Sequence, residues 1–452
     1  MENKLPKNWI QTDLDTVVLR MTNGSSLKQH EVEFEGSFPI SRIETIWNET
    51  IDLERVKYVE ASESDIEKYG LQKGDVLFSH INSDKHLGKT AVFNLDKTII
   101  HGINLLLLRA MPQFNGDFLN YILRHYRFSG KFIEVAQRSV NQSSINQKKL
   151  KSFVVHLPPL EEQQRIVAKL DTLFTHLEVL NTRLETIPTL LKNFKQAVLT
   201  QAVIGKLTEE WRVGKELEEW EETTLENLVL FAGNGLSKRS GDGEDLTVLR
   251  LADFKKGIRV KGNERIIKLT EKELNKYTLD NNDLLIIRVN GSVDLAGLFI
   301  LYKDEGNEEA FCDHFIRLTV DSERIIPLYL TYISNDGEGR LYLKNSLSTS
   351  AGQNTINQKS VKGLSINLPS ITEQTEIVKR VENLLAKADQ IESQYTLLKA
   401  KTDSLPQAIL AKAFKGELVE QLPTDGDAKV LLEEIKALKS EVVGNVKTRR
   451  KK

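Results

Sequence analysis

A heptad seam occurs twice in this chain at a constant offset. Ile166, Leu170, Leu173, Leu177, Leu180, Leu184 and Ile187 follow alternating steps of four and three. That spacing puts apolar side chains on one stripe of a long helix. Adding 211 to each number gives Ile377, Val381, Leu384, Ala388, Ile391, Tyr395 and Leu398. One seam alone predicts a helix that dimerises with another chain. Two copies in one chain predict a partner within the same chain, and a two-fold relation between copies makes them antiparallel.

The repeat extends beyond the seam. Ser139–Leu207 aligns with Ser350–Leu418 without a gap, with 20 of 69 positions identical. Trp9 and Trp220 share the offset of 211, and so do the helix-ending Gly205 and Gly416. Between the tryptophans and the seams the best offset slips to 208, which pairs Tyr69 with Tyr277, Asp75 with Asp283 and Asn82 with Asn290. These intervening stretches carry short β-rich runs such as Asp75–Ile81, Lys89–Leu95 and Ile103–Ala110, set off by Gly, Asn and Asp turn signals. A helix is predicted over Gly116–Phe128. The fold class that follows is α+β: two mixed α/β domains separated by two long helices that form an antiparallel coiled coil, with pseudo-two-fold internal symmetry. Pro158 and Pro159 suit the start of the first long helix. Pro188 is expected to end it, with a second, shorter helix carrying Leu191, Phe194, Val198 and Ala202 up to Gly205. Ser370 to Glu373 fits a capping box. The tail holds a short amphipathic helix on Val430, Leu431, Ile435 and Leu438, then a basic end from Lys447 read as a solvated tail.

Charge and composition narrow the function. Lys and Arg number 62 against 64 Asp and Glu, so any nucleic-acid binding has to come from local patches. One cysteine, Cys312, excludes an internal disulfide, and no Cys/His ligand spacing predicts a metal. No apolar run approaches membrane-spanning length and no apolar targeting core follows Met1, so the expected location is cytoplasmic and no membrane partner is predicted. Two catalytic-looking motifs fail on inspection. Phe231 to Gly235 spells F-x-G-x-G, a methyltransferase-like cofactor loop. Its repeat partner, Arg20 to Gly24, lacks the Phe and the first Gly, and the chain contains no N-P-P-[YF] or D-P-P-Y tetrapeptide. Gly88-Lys89-Thr90 resembles the end of a P-loop, but Ser83 stands where the earlier Gly is needed.

The segments "LPPLEEQQRIVAKLDTLF", "QAVLTQAVIGKLTEEWR", "LPSITEQTEIVKRVENLL" and "QAILAKAFKGEL" resemble the specificity subunit of type I restriction-modification enzymes. So do the "GDVLF"/"NDLLI" strands and the "SVNQSSINQ"/"SAGQNTINQ" loops. The resemblance covers nearly the whole chain and is most specific in the helices. It implies target-recognition domain 1 at 1–155, spacer helices at 156–207, target-recognition domain 2 at 208–366, spacer helices again at 367–420 and a tail at 421–452. The implied chain is non-catalytic. Its partners are double-stranded DNA with a bipartite target, two methyltransferase subunits that methylate adenine, and two translocase-nuclease subunits that join for restriction. No cofactor binds this chain in that picture. S-adenosylmethionine belongs to the methyltransferase subunits, and ATP and Mg to the restriction subunits. Ile166, Leu170, Leu173, Leu177, Leu180, Leu184, Ile377, Val381, Leu384, Ile391 and Tyr395 are the expected spacer and subunit-docking residues.

DNA contacts are expected from polar and basic residues on loops, because base edges are read by forked donors and acceptors. In the first domain these are Ser79, His80, Asn82, Ser83 and Lys85, then Gln137, Arg138, Asn141 and Gln142. In the second they are Arg288, Asn290, Gly291 and Ser292, then Ser348, Thr349, Gln353 and Asn354. Phosphate contacts are expected from two basic runs. One runs from Arg124 through Arg127, Lys131, Arg138, Lys148 and Lys149 to Lys151. The other runs from Arg250 through Lys255, Lys256, Arg259, Lys261 and Arg265 to Lys268. Turn chemistry explains Asn, Ser and Gly in such loops equally well. Two other readings stay open: a coiled-coil adaptor joining two protein-binding domains, and a specificity subunit of a related bipartite-site restriction system.

Overall fold

A computed structural model describes residues 5–140, 142–255, 257–262 and 264–449. The chain forms two compact units, Met1–Leu184 with Leu397–Lys452, and Glu185–Thr396. Each unit therefore holds one mixed domain, the first part of one long helix and the last part of the other. Among the described residues no helix is long and apolar enough to cross a membrane.

The first unit is built on a four-stranded antiparallel sheet ordered Val18–Asn23, Leu106–Ala110, Val76–Phe78, Thr90–Val92. The helix Gly116–Phe128 has the range expected from its spacing. Asn115 caps it, and Phe118, Leu119, Ile122 and Leu123 face the core. The strand Val154–Leu157 pairs with Ile10–Asp13 and leads into the helix Leu160–Val203. The second unit repeats this plan. Its four-stranded sheet is ordered Val229–Asn234, Phe315–Val320, Leu284–Ile287, Phe299–Leu301. Glu221–Thr224 pairs with Ser365–Leu368, which leads into the helix Ile371–Phe414. The units differ in what hangs on that frame. The first adds the pair Ser37–Ile40 with Lys57–Glu60. The second adds a three-stranded sheet ordered Ile266–Leu269, Glu244–Leu249, Glu309–Phe311.

Several contacts recur with both members shifted by 211. The indole N–H of Trp9 donates to Glu162 at 3.0 Å, and that of Trp220 to Glu373 at 3.1 Å. Gln163 accepts from the Asn115 amide and donates to the Pro158 carbonyl, and Gln374 does the same with Ile326 and Pro369. Gly24 lies so close to the His101 carbonyl that a Cβ would sit 2.1 Å from it, and Gly235 lies as close to that of Cys312, at 2.2 Å. The glycine that ends F-x-G-x-G is thus a close-packing position just after the strand Val229–Asn234, not part of a cofactor loop.

Both long helices are 44 residues and continuous, through Pro188 and Pro406 respectively. The expected break at Pro188 does not occur. Proline removes one backbone hydrogen bond at a cost of about 3 kcal/mol. Pro188 is exposed, while Leu184 and Leu191 on either side are buried, so packing holds the helix through the defect. Each helix is about 66 Å long at about 1.5 Å per residue, twice the span of the seam alone. The capping box at the start of the second helix forms only in part. The Glu373 amide meets Ser370 Oγ at 3.4 Å, but the Glu373 carboxylate turns to Trp220, Thr208 and Arg212. The tail helix is longer than expected, Ala428–Arg449, and packs Leu431, Leu432 and Ile435 into the first unit's core. The last residues of the basic tail, 450–452, lie outside the described residues.

Within each unit the two helical segments run antiparallel. In the first, His156 Nδ1, in the strand just before the first helix, lies 3.1 Å from Phe414 O at the end of the second, and Lys399 reaches Asn181 at 3.4 Å, so rising numbers along one segment meet falling numbers along the other. In the second, Val198 and Ala202 share a core with Ile377 and Val381, while Lys195 donates to Asp389 and Glu392 at 2.8 Å each. The first seam is well packed: Ile166, Leu170, Leu177 and Leu184 are buried, with Leu173 and Leu180 half-buried. The second holds at Ile377, Val381 and Ala388, with Leu384 half-buried, and then loosens. Ile391 is 49 % and Leu398 45 % exposed, with Tyr395 half-buried between them. At that level Lys195 makes the contact instead. Ile166, Leu170, Ile377 and Val381 serve the cores of their own units, so they anchor the helices and present no surface to a second chain.

Candidate nucleic-acid interface

The two groups of polar residues expected in loops form one small sheet in each unit. In the first unit, Ile81–Asn82 pairs with Gln142–Ser144, which pairs with Gln137–Ser139. In the second, Val289–Asn290 pairs with Gln353–Thr355, which pairs with Ser348–Ser350. Asn82 stands opposite Ser143, and Asn290 opposite Asn354. The loop assignment is corrected to a three-stranded antiparallel sheet. Its strands lack the apolar alternation that marks a strand in sequence, because their outer faces are polar. In each hairpin the outer strand is exposed along its length, and the tip residue Val140 is 92 % exposed. The tip in the second unit turns through Ala351 and Gly352, both at positive φ, as a two-residue hairpin turn requires. Asn141, at the first unit's tip, lies outside the described residues.

Hydrogen bonds fix the shape of each sheet. Asn354, almost fully buried, donates to the carbonyls of Asn290 and Gly291 at 3.4 and 3.0 Å and accepts from Thr349 at 2.8 Å. In the first unit Ser143 is the buried pin: its hydroxyl donates to Asp84, whose other oxygen is 3.9 Å from Arg138. Asn82 Oδ1 accepts from the Ser83 amide and Asn290 Oδ1 from the Ser292 amide, both at 2.9 Å. Asn82 Nδ2 also donates to the buried Ser79 hydroxyl at 3.1 Å, and Ser292 Oγ accepts from the Asp294 amide at 3.2 Å. These asparagines do turn chemistry, which leaves Ser83, Lys85, Gln142, Ser292, Gln353 and the outer strands Gln137–Ser139 and Ser348–Ser350 among the exposed, outward-facing polar groups.

Two residues stand at the root of these sheets, 208 apart. His80 is buried, 3.3 Å from Asn23 Nδ2, and desolvation lowers its pKa to about 4, so it is neutral near pH 7. Its counterpart Arg288 is half-buried and donates through Nε to the Asp313 carbonyl at 2.8 Å. One of the five guanidinium donors is thereby committed, and it sets the direction of the fork. Sequence reasoning missed the ties behind the sheets. Gln147 donates to Asn23 at 2.9 Å and Gln358 to Asn234 at 3.0 Å. The shared offset of 211 was the signal. It also missed Arg340, which is nearly buried and donates to the carbonyls of Val293, Asp294 and Ala296 at 2.8–2.9 Å, bracing the loop after Ser292.

The basic runs are less available than their sequence suggests. Arg124 and Arg127 both pair with Glu49, and Arg124 also lies 4.2 Å over the Phe174 ring. Lys131 pairs with Glu134, Lys151 with Asp15, and Lys149 donates to the Val135 carbonyl. In the second run Arg250 donates to Asp253, Arg259 pairs with Glu309 and Lys261 with Glu305. Arg250 follows the strand Glu244–Leu249 and does not belong to the small recognition-like sheet. Lys148, Lys255 and Lys268 are exposed, and Lys256 lies outside the described residues. Cys312, Asp313 and His314 have ligand atoms within 4.8 Å of one another, but burial raises the thiol pKa and all three are consecutive in one turn. That is a poor basis for a metal centre.

If the small sheet of the second unit is held by Asn354, Asn354→Ala should loosen it by about 1–3 kcal/mol, because two carbonyls and the Thr349 hydroxyl lose their partner. Amide exchange of Ser348–Ser350 and Gln353–Thr355 should quicken while the four-stranded sheet keeps its protection. Unchanged exchange in the hairpin would contradict the pin.

Comparison with known proteins places this architecture. The sequence profile of the type I restriction modification DNA specificity domain matches residues 6–189 and 218–399. The type I restriction enzyme StySPI specificity subunit of Salmonella potsdam is 42 % identical over 461 residues, with 99 % of each chain covered. The type I restriction enzyme EcoKI specificity subunit of Escherichia coli (strain K12) is 30 % identical over 462 residues, again with 99 % of each covered. The crystal structure of the HsdS subunit from Thermoanaerobacter tengcongensis superimposes with a TM-score of 0.60 at 20 % identity, covering 92 % of this chain and 98 % of that one. The last is a likeness of fold.

Proposed function

The chain belongs to the family of type I restriction-modification DNA specificity subunits, and from that premise we propose that each of its two units reads one half of a bipartite, asymmetric DNA target. The carrying observation is the pair of small sheets. The frame is the same in both units, down to the Gln147–Asn23 and Gln358–Asn234 ties, while the outward side chains differ: Gln137-Arg138-Ser139 against Ser348-Thr349-Ser350. A shared frame with divergent outer residues suits two reading heads of different sequence preference.

In this reading the chain performs no chemistry and holds no cofactor. Two methyltransferase subunits carrying S-adenosylmethionine dock on it and methylate adenine. Two translocase-nuclease subunits, using ATP and Mg, join for restriction. The long helices set the length of the unread gap, and the complex works in the cytoplasm. Docking falls to the exposed helix positions, since Ile166, Leu170, Ile377 and Val381 are buried in their own cores.

DNA binding by the chain assembled with its modification subunit, measured at two salt concentrations, tests the reading. Affinity should fall steeply as salt rises. A flat response favours the alternative of an adaptor joining two protein-binding domains.

A further inference from the structure

We propose that the loop 83–89 of the first unit, which follows directly on the small sheet, grips the DNA backbone: Lys85 and Lys89 contact phosphate beside the bases that the sheet faces. The inference rests on the DNA-reading function above and goes on to assign the backbone contact.

The loop is rigid before any ligand arrives. The Ser83 carbonyl accepts from the amides of His86 and Leu87 at 2.9 Å. Ser79 closes the loop with backbone bonds to Gly88 and Lys89, both at 2.8 Å. Gly88, at φ +76°, is pressed on the Phe132 ring. A clamp built this way loses little conformational freedom on binding.

Charge around the loop is unbalanced. Lys85, Lys89, Arg124, Arg127 and Arg138 gather near two carboxylates, Glu49 and Asp84. Both carboxylates are already engaged. Glu49 bridges Arg124 and Arg127, and Asp84 takes the Ser143 hydroxyl and faces Arg138. Among the described residues neither Lys85 nor Lys89 forms an ion pair. Burial, reinforced by Arg127 and Lys85 and opposed by Glu49, pulls the Lys89 ammonium below its usual range. His86 is lowered likewise by burial and by Lys89, Lys85 and Arg127, and its Nδ1 is buried without a hydrogen-bond partner. A surplus of cations on a rigid, partly desolvated loop is relieved by an anion.

The second unit shows that the fold does not require this surplus. Its loop repeats the same backbone bonds at an offset of 209, with Ser292 O accepting from the Leu295 and Ala296 amides and Ile287 exchanging bonds with Gly297 and Leu298, so Asp294 replaces Lys85, Leu295 replaces His86 and Leu298 replaces Lys89. There Arg340 is turned inward onto three loop carbonyls, and Lys344 neutralises Asp294 at 2.6 Å. The cations of the first loop are thus an addition to the shared frame, placed beside the exposed face of its sheet.

The test uses the chain assembled with its modification subunit, a labelled duplex of arbitrary sequence, and a salt titration of the dissociation constant. Replacing both lysines (Lys85→Ala with Lys89→Ala) should flatten the slope of log affinity against log salt by about 0.9 for each phosphate no longer neutralised, so by about 1.8 in all. The paired substitutions Lys85→Arg and Lys89→Arg should restore the slope, which separates removal of charge from failure to fold. An unchanged slope in the double alanine variant overturns the proposal while leaving the DNA-reading function standing. A slope that the arginine variant fails to restore overturns it too. If the unsubstituted complex shows no salt dependence, both readings fall together.

Discussion

Arg288→Ala is expected to erase recognition of one half of the target and leave the other half's contribution intact. Arg288 leaves the central strand Leu284–Ile287 and enters the small sheet, where its amide donates to His314 O and its own carbonyl accepts from the Ile356 amide. Its guanidinium is steered by Asp313 O at 2.8 Å. A fork held at one nitrogen keeps its terminal donors in a fixed plane, the arrangement that reads a guanine edge. Such a base pairing is worth about 1–3 kcal/mol, roughly 5- to 150-fold in discrimination at that position. Arg288→Lys should rescue little, since a point charge cannot replace the fork. The measurement is methylation of a panel of half-site mutants by the reconstituted complex. His80 occupies the matching place in the first unit as a buried neutral side chain, so the other half-site should respond to the panel as before. An unchanged panel in both halves would sink the assignment.

Glu373→Ala should cost the second unit about 2–4 kcal/mol. The carboxylate is fully buried and accepts from Trp220 Nε1 at 3.1 Å, Thr208 Oγ1 at 2.6 Å and both arms of Arg212 at 2.7 and 2.8 Å. Its removal leaves the indole N–H of the half-buried Trp220 without its partner, at a cost of about 1–3 kcal/mol, and reduces the buried Thr208 hydroxyl to its longer bond with Gly205 O at 3.2 Å. Arg212 is partly exposed and can turn to water, which keeps the total below that for a sealed ion pair. Glu162 holds Trp9, Asn8 and Gln421, all neutral donors, so Glu162→Ala should cost the first unit less. Denaturant unfolding followed by tryptophan fluorescence reads both. A destabilisation under about 1 kcal/mol for Glu373→Ala would show that the carboxylate does not anchor domain to helix.

Much of the fold was legible because the repeat is internal to the chain. An offset of 211 pairs Trp9 with Trp220 and Gly205 with Gly416, and the structure uses both pairs: Trp220 lies on Gly205, and Trp9 on Gly416. The helix Gly116–Phe128 was legible because its apolar spacing, its Asn115 cap and its burial agree. Three features were not. The first helix runs through Pro188 because the buried leucines on either side outweigh one missing hydrogen bond, which a local rule does not weigh. The polar sheets escaped notice because Ser, Gln and Asn strands carry no apolar alternation. The basic runs looked freer than they are because several partners are remote in sequence, as Glu49 is from Arg124 and Arg127, although Glu134 and Asp253 lie within the runs themselves. The same repeat that exposed the frame hid the reading residues, since those are the positions where the copies differ.

The most direct test of the two-headed reading is long-read detection of methylated bases in the host genome, with and without this chain. Deleting it should erase one bipartite adenine-methylation motif completely, both half-sites together, and Arg288→Ala in its place should relax only one half of that motif. A genome whose methylated motifs are the same with and without the chain would contradict the account.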